Sequence, residues 1–432
     1  MIKRNFLKLL AAASLGFTAL SGRAFAQMAD EITEPVTITF YNYNLATASA
    51  GADATRELLA KFEEENPNIK VETVAVPSNE IGTRLQADMA AGQQPDVAQL
   101  VFRDLYYIAS DPGANAPEDM AGAEGYAELT DGMISRGLDL GRIGDKTYGL
   151  AYTFSTPILY YNADLFRAAG LNPDKPPETW AEVKAAAEAI VEKTDAEGFF
   201  PSAYGPADGT FVYQAILMSN GGKVRDENTL TFANPEGIEA VQMLRDMVDS
   251  GAHARIDPAG ANDAMLSGQL GMYLYTSALQ NALSTAAEGN WELRVAAMPS
   301  FGDKPTALTN SGSALFSFSK DPIKQRASYE LMKFMTSKYG YTIITSKIGY
   351  LPLRLDIVDD PEYLGAWTAE HPLIRPNSEQ LSRLTPNVAF PGPNYRRAEA
   401  MMKESVVEAV LGEGDVTEVL SFARDNAQSL MP

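Results

Sequence analysis

Cysteine is absent from all 432 residues of the chain. This absence excludes disulfides, thiolate metal sites, a cysteine nucleophile and a lipid anchor on a cysteine at a signal cleavage site. The fold must therefore be held together by an apolar core. The hydrophobic composition of 45% is sufficient for such a core in a chain of this length.

Histidine is nearly absent, since His253 and His371 are the only two. They lie far apart in sequence and without metal-ligand spacing, so zinc chemistry and a Ser-His-Asp triad have no support. No phosphate-binding G-x-x-x-x-G-K-[ST] loop and no strand-coupled G-x-G-x-x-G occurs either. We expect no cofactor, no metal and no catalysis. Because acidic residues are plentiful, a secreted glycosidase with two carboxylates stays open as an alternative.

Long apolar runs are missing after the N-terminal segment, which itself predicts a signal peptide. The basic stretch Lys3–Lys8 precedes the apolar stretch Leu9–Leu20, which is too short to span a bilayer. Ala24–Ala26 fits a cleavage site after Ala26. The basic stretch resembles a twin-arginine motif with lysine in place of the first arginine, which leaves both export routes open. We therefore expect a periplasmic protein without stable membrane insertion.

Positive charge is scarce in the mature chain. Four of the 35 Lys and Arg and none of the 56 Asp and Glu lie in the first 26 residues, which leaves 31 basic side chains and a formal net charge of −25. Such an acidic surface argues against nucleic acid or an anionic membrane as a partner. Helix N-termini and arginines still allow local positive potential in a cleft. The length predicts two domains, and we expect a monomer.

Strands and amphipathic helices alternate along the chain, which indicates an α/β fold. The first part predicts strands at Val36–Tyr41, Ile69–Val76 and Asp96–Phe102, with helices at Ala54–Glu65 and Ile81–Ala91. Later elements are predicted as strands at Leu270–Tyr275, Glu292–Pro299 and Ala314–Phe318, and as helices at Asn234–Ser250 and Gln325–Ser337.

The segment Tyr148–Trp180 predicts a crossing between two lobes. It begins as an apolar, aromatic strand interrupted by Ser155 and Pro157, and it ends in a proline-rich turn. Thr179 and Glu182 then have the spacing of a capping box, which predicts the start of a helix. A strand, a polar interruption and a new helix within one short segment are typical of a chain that passes beside a ligand cleft.

Several motifs together resemble a known family. They are Leu159–Asn162, Asp164–Phe166, Ala169–Pro173, Pro176–Trp180, Pro95–Val97, Met265–Met272, Ala297–Pro299, Ser311–Gly312 and Gly349–Arg354. The mature chain resembles bacterial extracellular solute-binding proteins of family 1, the binding components of carbohydrate-type ABC importers. The resemblance implies a two-lobed, type II-like periplasmic binding protein fold whose discontinuous lobes close on a ligand. It also implies delivery to permease subunits whose ATPase is cytoplasmic.

Within the family, the resemblance extends to the binders of glycerol-3-phosphate and glycerophosphodiesters. Where those proteins have a Tyr after the second strand and a Glu after the third, this chain has Ser78 and Phe102. A neutral sugar or sugar-like polyol is therefore the preferred ligand class, with the phosphate ester as the alternative.

The same resemblance gives domain boundaries. We expect a signal peptide at 1–26, an N-terminal lobe of 27–152 and 293–336, and a C-terminal lobe of 153–292 and 337–432. Strand composition at Glu292–Pro299 and Ala314–Phe318 favours a return of the chain to the first lobe there.

Candidate ligand-binding residues follow from strand ends and from the resemblance, since ligands of α/β sheets bind at the carboxyl ends of strands. Amides, hydroxyls and aromatic rings suit sugar hydroxyls and the apolar faces of sugar rings. The candidates are Asn42, Tyr43, Ser155, Thr156, Tyr204, Asp208, Tyr275, Ser277, Ser311, Gly312, Tyr350, Arg396 and Arg397.

Some of these candidates have an equally simple structural explanation. Asn42 fits a cap or turn, and Gly312 fits a tight turn. Arg396 and Arg397 are the candidates for a charged group on the ligand, although most arginines are solvated or paired on protein surfaces.

Overall fold

A computed structural model describes residues 28–110, 113–203 and 210–432. The predicted cleavage site and the candidates Tyr204 and Asp208 lie outside these residues. Among the described helices, none combines the length and apolar composition needed to cross a bilayer.

The described residues form fifteen strands. They are β1 Val36–Asn42, β2 Ile69–Ala75, β3 Val97–Val101, β4 Arg142–Ile143, β5 Lys146–Thr147, β6 Leu150–Ser155, β7 Pro157–Asn162, β8 Glu197–Pro201, β9 Arg225–Asp226, β10 Thr229–Leu230, β11 Leu270–Thr276, β12 Leu293–Ala296, β13 Leu308–Thr309, β14 Ser311–Ser317 and β15 Leu384–Thr385.

The described residues form seventeen α-helices. They are α1 Ala50–Glu65, α2 Ile81–Ala90, α3 Leu105–Ser110, α4 Pro117–Thr130, α5 Ser135–Leu138, α6 Ala163–Ala168, α7 Trp180–Lys193, α8 Phe211–Ser219, α9 Pro235–Asp249, α10 Pro258–Leu266, α11 Gln280–Ala287, α12 Pro322–Met335, α13 Lys338–Ile348, α14 Gly365–Glu370, α15 Ile374–Gln380, α16 Tyr395–Leu411 and α17 Val416–Gln428.

A five-stranded sheet forms the centre of the first lobe, in the order β2-β1-β3-β14-β6. Strands β2, β1 and β3 are parallel, and β14 is antiparallel to both β3 and β6. Successive residues face opposite sides, so Phe40 packs in one apolar cluster and Tyr41 in another. Helices therefore cover both faces, as the predicted α/β pattern requires.

A four-stranded sheet forms the centre of the second lobe, in the order β12-β7-β11-β8. Its strands carry large buried rings such as Tyr160, Phe199 and Tyr273, which pack with α7, α8, α9, α16 and α17 in a single apolar cluster. The two sheets thus have separate cores, which is the physical basis for treating the lobes as two bodies.

The chain passes between the sheets at the short segment Ser155–Pro157. Ser155 pairs with Ser311 in the first sheet, and Pro157 pairs with Thr276 in the second. A proline at this point is tolerated because it is the first residue of β7.

The structure corrects the predicted lobe boundaries at three places. Residues 153–155 belong to the first sheet through β6. Leu293–Ala296 pairs with β7, so the prediction that the chain returns to the first lobe at 293 is wrong; the return occurs only at β14. Much of 337–389 packs on the first lobe, since Ile344, Ile357 and Leu381 lie in its apolar clusters. We propose a first lobe of 28–110, 113–155 and 311–389 and a second lobe of 157–203, 210–309 and 390–432.

Candidate functional site

A cleft of about 220 Å³ lies between the lobes. Its lining residues come from both lobes and from the connections between them. They are Tyr43, Ser78, Asn79, Val101, Phe102, Arg103, Thr210, Phe211, Asn310, Ser311, Gly312, Tyr350, Asn387 and Glu399.

The first lobe contributes to the cleft from the carboxyl ends of its parallel strands. Tyr43 follows β1, Ser78 and Asn79 follow β2, and Phe102 and Arg103 follow β3. Parallel strands have their carboxyl ends at one edge of the sheet, so these side chains converge there. The second lobe faces them with the start of α8 and with Glu399 of α16.

A network of buried polar groups supports the first-lobe wall of the cleft. The Tyr43 hydroxyl lies 3.1 Å from Thr153 Oγ1, which lies 2.6 Å from Ser313 Oγ. Gln99 Nε2 donates to both hydroxyls, at 3.2 and 2.9 Å. Burial raises the pKa of the Tyr43 hydroxyl, which therefore stays protonated and able to donate.

Four of the predicted site residues line the cleft: Tyr43, Ser311, Gly312 and Tyr350. Gly312 also has a packing role, because its φ is 101° and an added Cβ would lie 1.9 Å from the carbonyl oxygen of Thr153. Burial raises the pKa of the Tyr350 hydroxyl well above its ordinary value, again keeping it a neutral donor.

Three predicted residues are part of the crossing and do not line the cleft. The Ser155 hydroxyl accepts a hydrogen bond from Thr276 Oγ1 at 2.6 Å, and the Ser277 hydroxyl accepts one from the Thr156 amide at 3.3 Å. Ser155, Thr156 and Ser277 are at most 1% exposed. The structure therefore places none of the three predicted residues in the lining of the cleft, because Ser155 bonds to Thr276 and the Thr156 amide bonds to Ser277 within the crossing.

Asn42 and Tyr275 are also placed away from the cleft lining. Asn42 is fully buried, and its Oδ1 accepts a hydrogen bond from the Leu45 amide at 3.1 Å. Its side chain therefore stabilises the turn after β1, as the structural explanation of this residue expects. The Tyr275 ring packs at 6.3 Å from Phe211 and at 5.4 Å from Tyr273. Tyr275 thus supports the cleft residue Phe211 from behind.

The two predicted arginines do not line the cleft either. Arg396 forms an ion pair with Asp104 at 3.0 Å, and the Asp104 side chain is 1% exposed. Arg397 is exposed on α16. The interpretation of Arg396 as a partner for a charged ligand group is corrected, because a buried carboxylate from the opposite lobe already neutralises it.

Charged groups that the sequence reasoning missed lie on opposite walls of the cleft. Arg103 lines the first-lobe wall, and its buried Nε has no hydrogen-bond partner among the described residues. Glu399 lines the other wall and accepts from Thr210 Oγ1 at 3.0 Å. Burial raises the pKa of the Glu399 carboxyl, and the nearby Arg103 opposes that shift. The strand-end rule that selected Tyr43 would have found Arg103, whereas nothing in the sequence singles out Glu399.

A second donor without a partner in the described cleft lining belongs to Asn310, which is 1% exposed. Its Oδ1 accepts from the Asn387 amide at 2.7 Å, which fixes the orientation of the side-chain amide. Its Nδ2 then has no partner among the described residues. Buried donors are nearly always satisfied by protein groups or ordered water, so Asn310 and Arg103 are donors of the cleft that are available to the acceptor oxygens of water or of a bound molecule.

Residues 57–372 match the family model described as bacterial extracellular solute-binding protein. The chain belongs to this family. A relative in it, a putative binding protein of Brucella abortus, is 27% identical over 393 residues, 87% of this chain and 89% of that protein. The sn-glycerol-3-phosphate-binding periplasmic protein of Brucella melitensis is 27% identical over 325 residues, 71% of this chain and 72% of its own.

The fold of the solute-binding protein is shared with solved structures. The cyclic alpha-maltosyl-1,6-maltose binding protein from Arthrobacter globiformis superposes with a TM-score of 0.78 at 23% identity, covering 92% of this chain and 99% of that one. The expected two-lobed periplasmic binding protein fold is thereby confirmed.

The two positions that the resemblance contrasts with the glycerol-3-phosphate and glycerophosphodiester binders are both part of the cleft. Ser78 and Phe102 line it, with a small hydroxyl and an apolar ring in place of the expected Tyr and Glu.

Proposed function

We propose that this solute-binding protein captures a neutral sugar or sugar-like polyol in the periplasm and delivers it to the permease of an ABC importer. The observation that carries the proposal is the composition of the cleft. Most of its polar side chains are neutral amides and hydroxyls, and Phe102 and Phe211 supply apolar rings from the two lobes. Such a combination suits the hydroxyls and the apolar faces of a saccharide.

The charges at the cleft support a ligand without net charge. Arg103 faces Glu399 across it, and the nearby Arg396 is paired with Asp104. Positive and negative groups thus occur in equal number. A dianionic phosphate would gain from Arg103 and be opposed by an ionised Glu399.

A phosphate ester is the second candidate, because one observation favours it. Arg103 lines the cleft, and its Nε is a charged donor that has no hydrogen-bond partner among the described residues. Charge-assisted hydrogen bonds of this kind are the strong ones in phosphate recognition. The name of the Brucella melitensis relative gives this candidate a ligand, sn-glycerol-3-phosphate.

The glycosidase alternative has less support. Both glycosidase mechanisms need two carboxyl groups flanking the bond that is cleaved. Of the described residues that line the cleft, Glu399 alone has a carboxyl group.

Calorimetry with the mature protein separates these candidates. The panel contains mono- and disaccharides, polyols, sn-glycerol-3-phosphate and glycerophosphodiesters, and we expect binding to a neutral member. Arg103→Gln should then raise the dissociation constant of that ligand about tenfold, which corresponds to the loss of one hydrogen bond between a charged and a neutral group. For a phosphate ester the same substitution should abolish measurable binding.

The matched control is Arg142→Gln, which removes an exposed arginine paired with Asp139. Exclusive binding of phosphate esters would contradict the neutral-ligand proposal and establish the second candidate. Hydrolysis of a disaccharide in the panel, followed as release of reducing ends, would contradict both.

A further inference from the structure

A cluster of polar side chains joins the lobes outside the cleft, and we call it the interlobe cluster: Thr83, Asp104, Tyr395 and Arg396. Asp104 follows β3 in the first lobe. Its Oδ1 accepts from the Tyr395 hydroxyl at 2.5 Å, and its Oδ2 accepts from Arg396 Nη2 at 3.0 Å. Tyr395 packs in the apolar cluster of the second lobe, so both bonds cross between the two cores.

Arg396 extends the interlobe cluster to a second element of the first lobe. Its Nη1 donates to Thr83 Oγ1 of α2 at 2.8 Å, and its Nε donates to the Tyr395 hydroxyl at 2.9 Å. Gly82 gives the guanidinium its space, since a Cβ there would lie 2.0 Å from Arg396 Nη2. The guanidinium is thus bonded to two different elements of the first lobe.

Ring contacts next to the cluster cross between the lobes as well. The ring of Tyr107 on α3 stacks on Tyr395 with centroids 6.2 Å apart and 17° between planes. The guanidinium of Arg225, in the second lobe, lies 4.7 Å from the ring centre of Tyr106. These contacts and the interlobe cluster together form an edge between the lobes, outside the cleft lining.

Opening the lobes would break this edge and leave the crossing strands intact. The bonds at the crossing, such as Thr276 to Ser155, connect the strands about which the lobes would turn. The Asp104 bonds lie at the ends of β3 and α16 and require the lobes to be in contact. We infer that Asp104, Tyr395 and Arg396 stabilise the closed form of the ligand-free protein and thereby raise its affinity for the solute.

The predicted gain in affinity rests on the proposed function, since it requires that the protein binds a solute. The affinity for that solute then scales with the fraction of protein in the binding-competent form. The burial of Asp104 explains why the loss of Arg396 should destabilise the closed form. The Asp104 side chain is 1% exposed, so removing Arg396 leaves a buried carboxylate with one hydroxyl partner. Uncompensated buried charge is costly, which favours opening and hydration of the site.

The experiment measures the distance between the lobes without any ligand. Because the chain has no cysteine, single cysteines at the exposed positions Ala87 on α2 and Glu404 on α16 can carry spin labels. Pulsed electron paramagnetic resonance then gives the populations of closed and open forms. We expect Asp104→Ala and Arg396→Met each to lower the closed-to-open ratio about tenfold. The double variant should add little, because both remove the same pair.

Asp139→Ala is the matched control, since it breaks an ion pair within the first lobe. An unchanged distance distribution in both Asp104→Ala and Arg396→Met, with the melting temperature unchanged, would overturn the inference. If Asp104→Ala does not fold, Asp104→Asn, which keeps the volume and removes the charge, decides in its place. Failure of every panel ligand to bind would count against the proposed function alone, because the distances are measured without ligand.

For a ligand that binds, the same variants provide a second readout. The dissociation constant should rise by the factor by which the closed fraction falls. A changed closed fraction with an unchanged dissociation constant would contradict the link to affinity.

Discussion

At the scale of single residues, Gly312 illustrates how a motif residue carries packing and site geometry together. It lies where β14 has a register irregularity against β6, next to Ser313. Its φ of 101° is in the region that favours glycine, and the carbonyl of Thr153 occupies the space of a side chain. Thr153 in turn bonds to Tyr43, so a displaced carbonyl would also move the cleft wall.

We therefore predict that Gly312→Ala lowers the free energy of unfolding by about 3 kcal/mol or more, through strain and overpacking. The control is Gly302→Ala, at a glycine with φ of 58° and no atom within 4 Å of the added Cβ. It should cost only about 1 kcal/mol. Urea denaturation measures both values. Equal costs for the two variants would show that the contact with Thr153 does not matter.

At the scale of elements, local signals in the sequence were reliable where the partners are close in the chain. The capping box predicted at Thr179 is confirmed: its hydroxyl accepts from the Glu182 amide at 3.3 Å, and the Glu182 carboxylate accepts from the Thr179 amide at 2.9 Å. The strand at Leu293–Ala296 was also recognised as a strand. Its sheet was assigned wrongly, because pairing with β7 depends on contacts distant in sequence.

We predict that Thr179→Ala lowers the free energy of unfolding by about 1 kcal/mol, the usual value of a helix N-cap. Glu182→Ala removes the reciprocal bond of the same box. The two losses should therefore not add in the double variant, and urea denaturation of all four proteins measures the coupling. Strict additivity would mean that the two bonds act independently.

At the scale of the whole molecule, a buried histidine links folding to pH. His253 is 1% exposed in the core of the second lobe, where its ring lies 5.2 Å from that of Phe200. Its Nδ1 lies 2.7 Å from the carbonyl oxygen of Ala254, so it donates there. Burial lowers the pKa of His253 from 6.5 to about 4. Between these pH values the unfolded chain binds more protons, so stability falls as the pH falls.

We predict that the protein loses ~3 kcal/mol of unfolding free energy between pH 7 and pH 4 through this one group. His253→Asn keeps a donor near the Nδ1 position and removes the titration. Between pH 7 and pH 4, the unfolding free energy of this variant should therefore fall by ~3 kcal/mol less than that of the parent protein, whatever its stability at pH 7. The control is His371→Asn, at the exposed histidine. Equal pH dependence in His253→Asn and the parent protein would contradict the assignment.

The sequence by itself determined the α/β class, the family and most element positions, because these depend on periodicity, caps and motifs that are local in the chain. It also placed Tyr43, Ser311, Gly312 and Tyr350 at the cleft. Only the tertiary structure decided that Arg396 pairs with Asp104, since their partnership spans nearly 300 positions and joins two lobes. The absence of cysteine made the core responsible for stability. The two separate cores, packed around two sheets, are what bring the charged and polar groups of the cleft together.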